Sequence, residues 1–378
     1  MKRLSLGELH HALGRPLPAV VSGCYRKLFQ EVSRGAEGEE VVVCTADHAA
    51  PFNRIGSLTF ALPAVARQVL YGEGYRVLLL PGSLIPCDNG LYPRGVFLSG
   101  EVRPPKRINF VTQRFEKSSP LLLPPVDASR FGPFEEDIRA GQFHSYADQL
   151  CAIMKKMVSS WVESSTPAKV DVQPVEAVAN RMLVKLLEVG DPNVELLLFN
   201  GGVRRRLYEA LKGTFCAWGE RHGSFLFWGR GEQGRTRRLA YEDVVRGESA
   251  EAEYLRGPGQ CLRALRDGAL VPNVFLSLFL VSYLPQLPVS GGPMQWRYYR
   301  RMIRVCNDLL GLQRPHQLSR YGYMCYDPKK LASAAGRAIS KFGPGMDLLS
   351  HPLKEEEAEA ILQKIEIQRF RVPLPDYR

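Results

Sequence analysis

The residues best suited to chemistry cluster in three loops. The first reads Thr45-Ala-Asp-His-Ala-Ala-Pro-Phe-Asn-Arg-Ile-Gly-Ser57, between a β-branched run and a segment with helical spacing. A helix N-terminus offers unpaired N–H groups and a partial positive charge. When it opens beside the carboxyl end of a strand, it suits a phosphate. His48, Asn53, Arg54 and Ser57 would add donors for an anionic oxygen. The loop matches neither the GxGxxG nor the Walker A pattern. A polar loop ahead of a capped helix explains the same residues equally well.

The second loop, Pro81-Gly-Ser-Leu-Ile-Pro-Cys-Asp88-Asn89-Gly90, follows another apolar run. Asp88 and Asn89 would hold a ribose, a magnesium ion or a substrate amine there; Asp-Asn-Gly is equally a turn sequence. The third is Ser290-Gly-Gly-Pro-Met-Gln295-Trp-Arg-Tyr298-Tyr299. Gly291 and Gly292 would let backbone approach a ligand, and the following helix carries Gln295 and Tyr298 near its start. The alternative is a plain link between two helices. Separate basic clusters, Arg204 to Arg206, Arg235 with Arg237 and Arg238, and Arg297 with Arg300, Arg301 and Arg304, suit phosphates or simply face water. With no HxxxH or HExxH among seven histidines, no dedicated metal site is expected.

Three kinds of element must position these loops. Glu40 to Ala46 and Tyr75 to Gly82 read as buried strands, with a helix from Ser57 to Gly72 or Gly74 between them, which makes a parallel βαβ unit. GVFLSGEV and RINFVT predict short antiparallel strands, and helical patterning returns over 135–164. The spacing of Val175, Val178, Met182, Leu183, Leu186 and Leu187 predicts a helix over 172–189. Asp191-Pro192 closes it, Val194 to Asn200 reads as a strand, and Gly201-Gly202 opens another helix. Phe225 to Leu239 reads as a hairpin, 274–284 as a buried apolar helix, 294–312 as a helix, and 354–368 as a short amphipathic one.

The expected fold is α/β: a Rossmann-like parallel sheet flanked by helices, with an inserted small α+β region. Residues 1–80 form the first half of the core and 81–165 the insertion. The second half spans 166–350, and a terminal helix and tail span 351–378. The length, 378 residues, suits about two domains. A composition 45% hydrophobic and 24% charged excludes disordered, collagen-like and disulfide-scaffold classes. A net charge of +11 favours anionic partners such as nucleotides, acidic metabolites or nucleic acid. Eight cysteines without a CxxC pair predict reduced, mostly buried thiols. The N-terminus lacks an apolar signal core, and the apolar stretch at 274–284 is bounded by Pro272 and Pro285 and too short to span a membrane. A cytoplasmic location is the expectation.

Taken together, VVVCTADHAAPFNRIGSLTFALPAVARQVL with YRVLLL, the hairpin FLFWGRGEQGRTRRL, and VPNVFLSLFLVSYLPQLPVSGGPMQWRYY give the chain a resemblance to a known family. It resembles the bacillithiol biosynthesis cysteine-adding enzymes, ligases with a class I aminoacyl-tRNA synthetase-like core. The family's first loop usually carries Gly-Gln-Gln or Gly-His-Gln where this chain has Thr45-Ala-Asp-His. The resemblance implies ATP- or nucleotide-dependent joining of an amino acid to an amine or other small acceptor, with Mg2+ accompanying the nucleotide. It implies that His48, Asn53, Arg54, Gly56 and Ser57, with Thr45, hold the phosphate end. Asp88 and Asn89 would take the ribose or amine, and Asn200, Gly201 and Gly202 would line a second strand end. Gly291, Gly292, Gln295 and Tyr298 would close over the substrate. Two alternatives stand beside it: a protein binding tRNA or another nucleic acid on a synthetase-like core, and a non-catalytic partner-binding module.

Overall fold

The computed structural model describes residues 19–34, 40–46, 75–84, 86–87, 95–98, 106–159, 170–212, 223–242, 253–287, 289–291, 293–310, 323–325, 354–357 and 359–360. In chain order the elements begin with α1 (Ala19–Val32), β1 (Glu40–Ala46), β2 (Tyr75–Pro81), β3 (Gly95–Leu98) and β4 (Lys106–Asn109). Helices α2 (Glu135–Ala140) and α3 (Tyr146–Ser159) precede β5 (Val170–Val172), and α4 (Val175–Glu188), α5 (Pro192–Phe199) and α6 (Gly201–Leu211) follow it. Next come β6 (Phe227–Arg230), β7 (Thr236–Arg238), α7 (Pro258–Arg266) and β8 (Leu270–Pro272). Helix α8 (Val274–Leu278) runs on into a π-helical turn at Phe279–Tyr283. The last elements are β9 (Val289–Gly291), α9 (Pro293–Leu310) and β10 (Tyr323–Cys325). The fold is mixed α/β and mostly helical, with one small parallel sheet and separate antiparallel pairings.

The chain forms two compact units. The sheet unit comprises Gly38–Pro174, Ser290–Pro293 and Cys325–Arg378. Its strands β1 and β2 pair in parallel from Glu40 opposite Tyr75 to Ala46 opposite Pro81, as expected from sequence. Strand β5 joins β2 in parallel, Val77 opposite Val170 through Leu79 opposite Val172. The full order is β10-β9-β1-β2-β5. The chain therefore steps outward from β1 on one side, then returns to pair on the other. Val43 and Val77 through Leu80 are fully buried, which is why these strands are continuous apolar runs without alternation. The helix expected from Ser57 onward lies outside the described residues.

One charge interrupts β2. Arg76, buried, donates to Asp171 Oδ2 on β5 at 3.0 Å, and Gln173 Nε2 donates to the same oxygen at 2.6 Å. The second carboxylate oxygen accepts from Val172 N at 3.0 Å and lies 3.6 Å from Lys155 Nζ on α3, which packs against β5. This pairing satisfies a buried guanidinium that would otherwise cost several kcal/mol.

The region after β2 contains the expected antiparallel pair, β3 with β4, Gly95 opposite Asn109. The helix expected over 135–164 is instead two helices, α2 and α3. Gly141 follows α2, where a Cβ would fall 2.3 Å from the Phe143 ring. Ser145 and Asp148 then restart the helix as a capping box: Ser145 N donates to Asp148 Oδ2 at 2.9 Å and Asp148 N to Ser145 Oγ at 3.2 Å.

The helical unit comprises Met1–Glu37, Val175–Val289 and Met294–Met324. Helix α4 is its spine, touching α1, α5, α7, α8, the π turn and β8. Val178, Met182 and Leu183, at helical spacing, are fully buried, each contributing on the order of 2 kcal/mol of apolar transfer. Helices α4 and α7 end alike. Gly190 (φ 66°) and Gly268 (φ 67°) take left-handed conformations, so that Asp191 N reaches Leu186 O at 2.9 Å and Ala269 N reaches Ala264 O at 2.8 Å.

The segment 194–199, expected as a strand, is helix α5. Asp191 is its N-cap, accepting from Asn193 N and Val194 N at 3.1 and 3.0 Å, and Pro192 stands at the first turn. The Asp-Pro pair that reads as a stop is a start. The capping carboxylate also accepts from the Tyr25 hydroxyl of α1 at 2.6 Å, which ties two helices together in the core. The expected hairpin is present, with β6 antiparallel to β7 (Trp228 opposite Arg238) and β8 added on β6 (Trp228 opposite Val271). The apolar stretch 274–284 is a buried helix capped by Asn273, as expected, and among the described residues no helix is long and apolar enough to cross a membrane. The tail is described as helical only at 355–357 and 359–360.

Candidate functional site

The reversal of strand order is the feature of the sheet unit with chemical meaning. Strand β1 has β2 on one side and β9 on the other, so the crossing direction of the chain changes between β1 and β9. In open α/β sheets whose strands all run parallel, a reversal of this kind leaves a crevice beyond the strand ends, where ligands bind. Thr45 is the penultimate residue of β1, opposite Leu80, and Gly291 closes β9. The structure thus sets the strands carrying the first and third predicted loops side by side. His48, Asn53, Arg54, Gly56, Ser57, Asp88, Asn89 and Gly292 lie outside the described residues.

The loop leaving β2 is firmly held. Ser83 O accepts from Ser119 Oγ at 2.7 Å and from Leu121 N at 3.1 Å, and Cys87 N donates to Ser118 O at 3.0 Å. Ser83, Leu84 and Cys87 are buried. At the neighbouring strand end, Gln173 N donates to Leu79 O at 3.0 Å, carrying the β5 pairing past its last residue. The strand end before Asp88 is therefore anchored on both sides.

The other expected residues take different positions. Asn200, Gly201 and Gly202 belong to the helical unit and join α5 to α6, so they do not follow a strand. Asn200 is the N-cap of α6: its Oδ1 accepts from Val203 N at 3.0 Å, and Gly201 and Gly202 are exposed in the first turn. Gln295 and Tyr298 fall in the first turns of α9. Among the described residues no group of three or more His, Cys, Asp or Glu could hold a metal ion. A pocket of about 270 Å3 in the sheet unit is walled by Phe110, Phe115, Leu123, Val126, Asp127 and Arg130. It contains no serine, cysteine or histidine.

A second constellation lies on α6, where the sequence marks Arg204 only as part of a basic cluster. Arg204, Tyr208 and Lys212 recur every four residues, which lays them along one face of the helix. The Tyr208 and Tyr241 rings stack with centroids 4.1 Å apart and planes at 10°, and Lys212 Nζ lies 5.7 Å from the Tyr208 centroid. Burial, then the bond donated to Glu242 Oε1 at 2.8 Å, pushes the Tyr208 phenol up to about 12. Its own backbone N–H and the Tyr208 hydroxyl hold the Glu242 carboxyl below the usual range. Desolvation lowers the Arg204 guanidinium, half-buried with Nε lacking a hydrogen-bond partner among the described residues. The four-residue spacing was the available signal; Tyr241, from beyond the hairpin, had none.

No protein-family model matches the chain, and no curated protein matches it either.

Proposed function

We propose that the protein is a nucleotide-dependent ligase-like enzyme with a Rossmann-like core, joining an amino acid to a small amine or other acceptor. The observation that carries this reading is the strand order, in which β9 returns to pair beside β1. Run outward from β5, the order is compatible with a doubly wound sheet, in which the reversal point is a nucleotide crevice. The reading requires β9 to run parallel to β1, so that Thr45 and Gly291 share one edge of the sheet.

The residues present fit a phosphate. Strand β1 ends in a hydroxyl and a small side chain, and β9 ends in glycine, so backbone N–H groups can approach closely. The nucleotide would supply the activation that a carboxylate needs before an amine can displace one of its oxygens. The chain's part is then to hold phosphates, orient the amine and stabilise the carbonyl oxyanion. His48, Asn53, Arg54, Gly56 and Ser57 are proposed for the phosphates, Asp88 and Asn89 for the ribose or amine, and Gly291 and Gly292 for closure over the acceptor; Gln295 and Tyr298 belong to the helical unit. Mg2+ would enter on the phosphates, as this ion commonly keeps most of its water and takes few protein ligands.

The test is titration calorimetry with ATP and a non-hydrolysable analogue in the presence of Mg2+, alongside His48→Ala and Ser57→Ala. Saturable binding lost in both variants, with AMP or ADP formed on adding an amino acid, supports the reading. No heat at millimolar nucleotide overturns it.

A further inference from the structure

We propose that α6 and the elements around it form a docking surface for single-stranded nucleic acid, separate from the nucleotide site. Three basic clusters far apart in sequence meet there. Arg301, from α9, donates through Nε and Nη2 to Ala210 O of α6 at 3.1 and 2.7 Å. Arg238, from β7, donates to Gly223 O at 2.8 Å, and its charge acts on both Tyr208 and Glu242. Arg204, Arg205 and Lys212 belong to α6 and its C-cap.

The chemistry points to a polyanion. A carbonyl partner fixes a guanidinium without neutralising it, so Arg301 is held in place with its charge intact. Arg204 is half-buried, and its Nε lacks an acceptor among the described residues. Against these five cations stand two acids among the described residues of α6 and 241–242, Glu209 and Glu242, the latter engaged with Tyr208. The stacked Tyr208 and Tyr241 rings lie among the charges, and aromatic rings interleaved with cations are the mark of surfaces that take bases as well as phosphates. An anionic membrane would use the charges but offers no planar bases for the rings to stack on.

The full chain is titrated into a fluorescein-labelled 20-mer of oligouridylate, into a duplex of equal length, and onto phosphatidylserine vesicles. With about four phosphates engaged, log K falls with log salt at a slope of about −3, roughly 50-fold between 50 and 200 mM. Arg301→Ala is expected to flatten that slope by about 0.7. Tyr241→Ala is expected to weaken binding about tenfold with the slope unchanged. Arg205→Glu, at an exposed position in the N-terminal half of α6 where an acid does not oppose the helix, is expected to weaken it at least tenfold without moving the melting temperature. No binding at 50 mM salt, equal binding to the duplex, preference for vesicles, or indifference to Arg205→Glu and Tyr241→Ala each overturns the proposal. ATP binding by the same variants is unchanged if the two sites are separate, so failure here leaves the ligase reading standing.

Discussion

Replacing Asn273 by alanine tests whether one buried amide joins the antiparallel sheet to the apolar helix. Asn273 is 1% exposed; its Oδ1 accepts from Leu276 N at 2.9 Å and its Nδ2 donates to Ser224 O at 2.6 Å. Loss of the cap costs about 1 kcal/mol. Leaving the Ser224 carbonyl buried without this donor costs about 1–3 kcal/mol more. The sum is about 2–4 kcal/mol. With an m-value near 3 kcal/mol/M, the urea midpoint falls by roughly 1 M. Asn273→Asp makes the test specific, because it keeps the capping oxygen but turns a second acceptor on Ser224 O. Burial and that carbonyl both disfavour the carboxylate, so its folded pKa lies above the unfolded value of about 3.9. Its stability is then complete below the unfolded value and is lost as pH rises through the folded one. The aspartate variant therefore recovers relative to the native chain on acidification, while the alanine variant does not. An alanine variant within about 0.5 kcal/mol of the native chain, or an aspartate variant indifferent to pH, refutes the reasoning.

Asp171→Asn strips the carboxylate from Arg76, whose side chain is 7% exposed, and is expected to cost about 3 kcal/mol in urea. The double change Arg76→Met with Asp171→Leu should cost less than the sum of its two single changes, giving a clear coupling energy in a mutant cycle. Cys24 is exposed, whereas Cys87, Cys151, Cys261 and Cys306 are buried, and burial pushes the Cys261 thiol up to about 12. Maleimide on the native protein should label Cys24 and spare Cys261 until urea is added, as read by peptide mass spectrometry. Tyr208, raised from 10.0 to about 12, favours the folded state fully below pH 10 and loses that contribution as pH climbs toward 12. Phenolate absorbance should include a late-titrating component that Tyr208→Phe removes.

Much of this architecture could be read in the amino acids because its signals are local. The apolar run at 77–80 marked a strand covered on both faces, and the spacing from Val175 to Leu187 marked α4. The β6–β7 hairpin followed from its glycine-flanked turn. Val194 to Asn200 reads as a strand because a short, mostly apolar run has no periodicity to separate strand from helix. Its Asp191 cap, tied to Tyr25, was the deciding signal. The division of 135–164 was signalled by Ser145-x-x-Asp148, a box the apolar pattern overrode. The pairing of β9 with β1, like the meeting of Arg301 with α6, joins residues distant in sequence and has no local trace. Of the expected phosphate loop, only its first two residues, Thr45 and Ala46, fall among those described.

The position of β9 bears on how the protein is made. Strand β1 is complete long before its second neighbour, Val289–Gly291, which is translated roughly 240 residues later. At about 5–20 residues per second, the backbone amides and carbonyls along that flank wait some 12–50 s on the ribosome. For that interval the nascent chain carries an apolar strand with an open border, the geometry that invites pairing with a neighbouring polypeptide. A holdase chaperone on the emerging chain would matter most before residue 291 leaves the exit tunnel, and a translational pause placed ahead of it would lengthen the exposure.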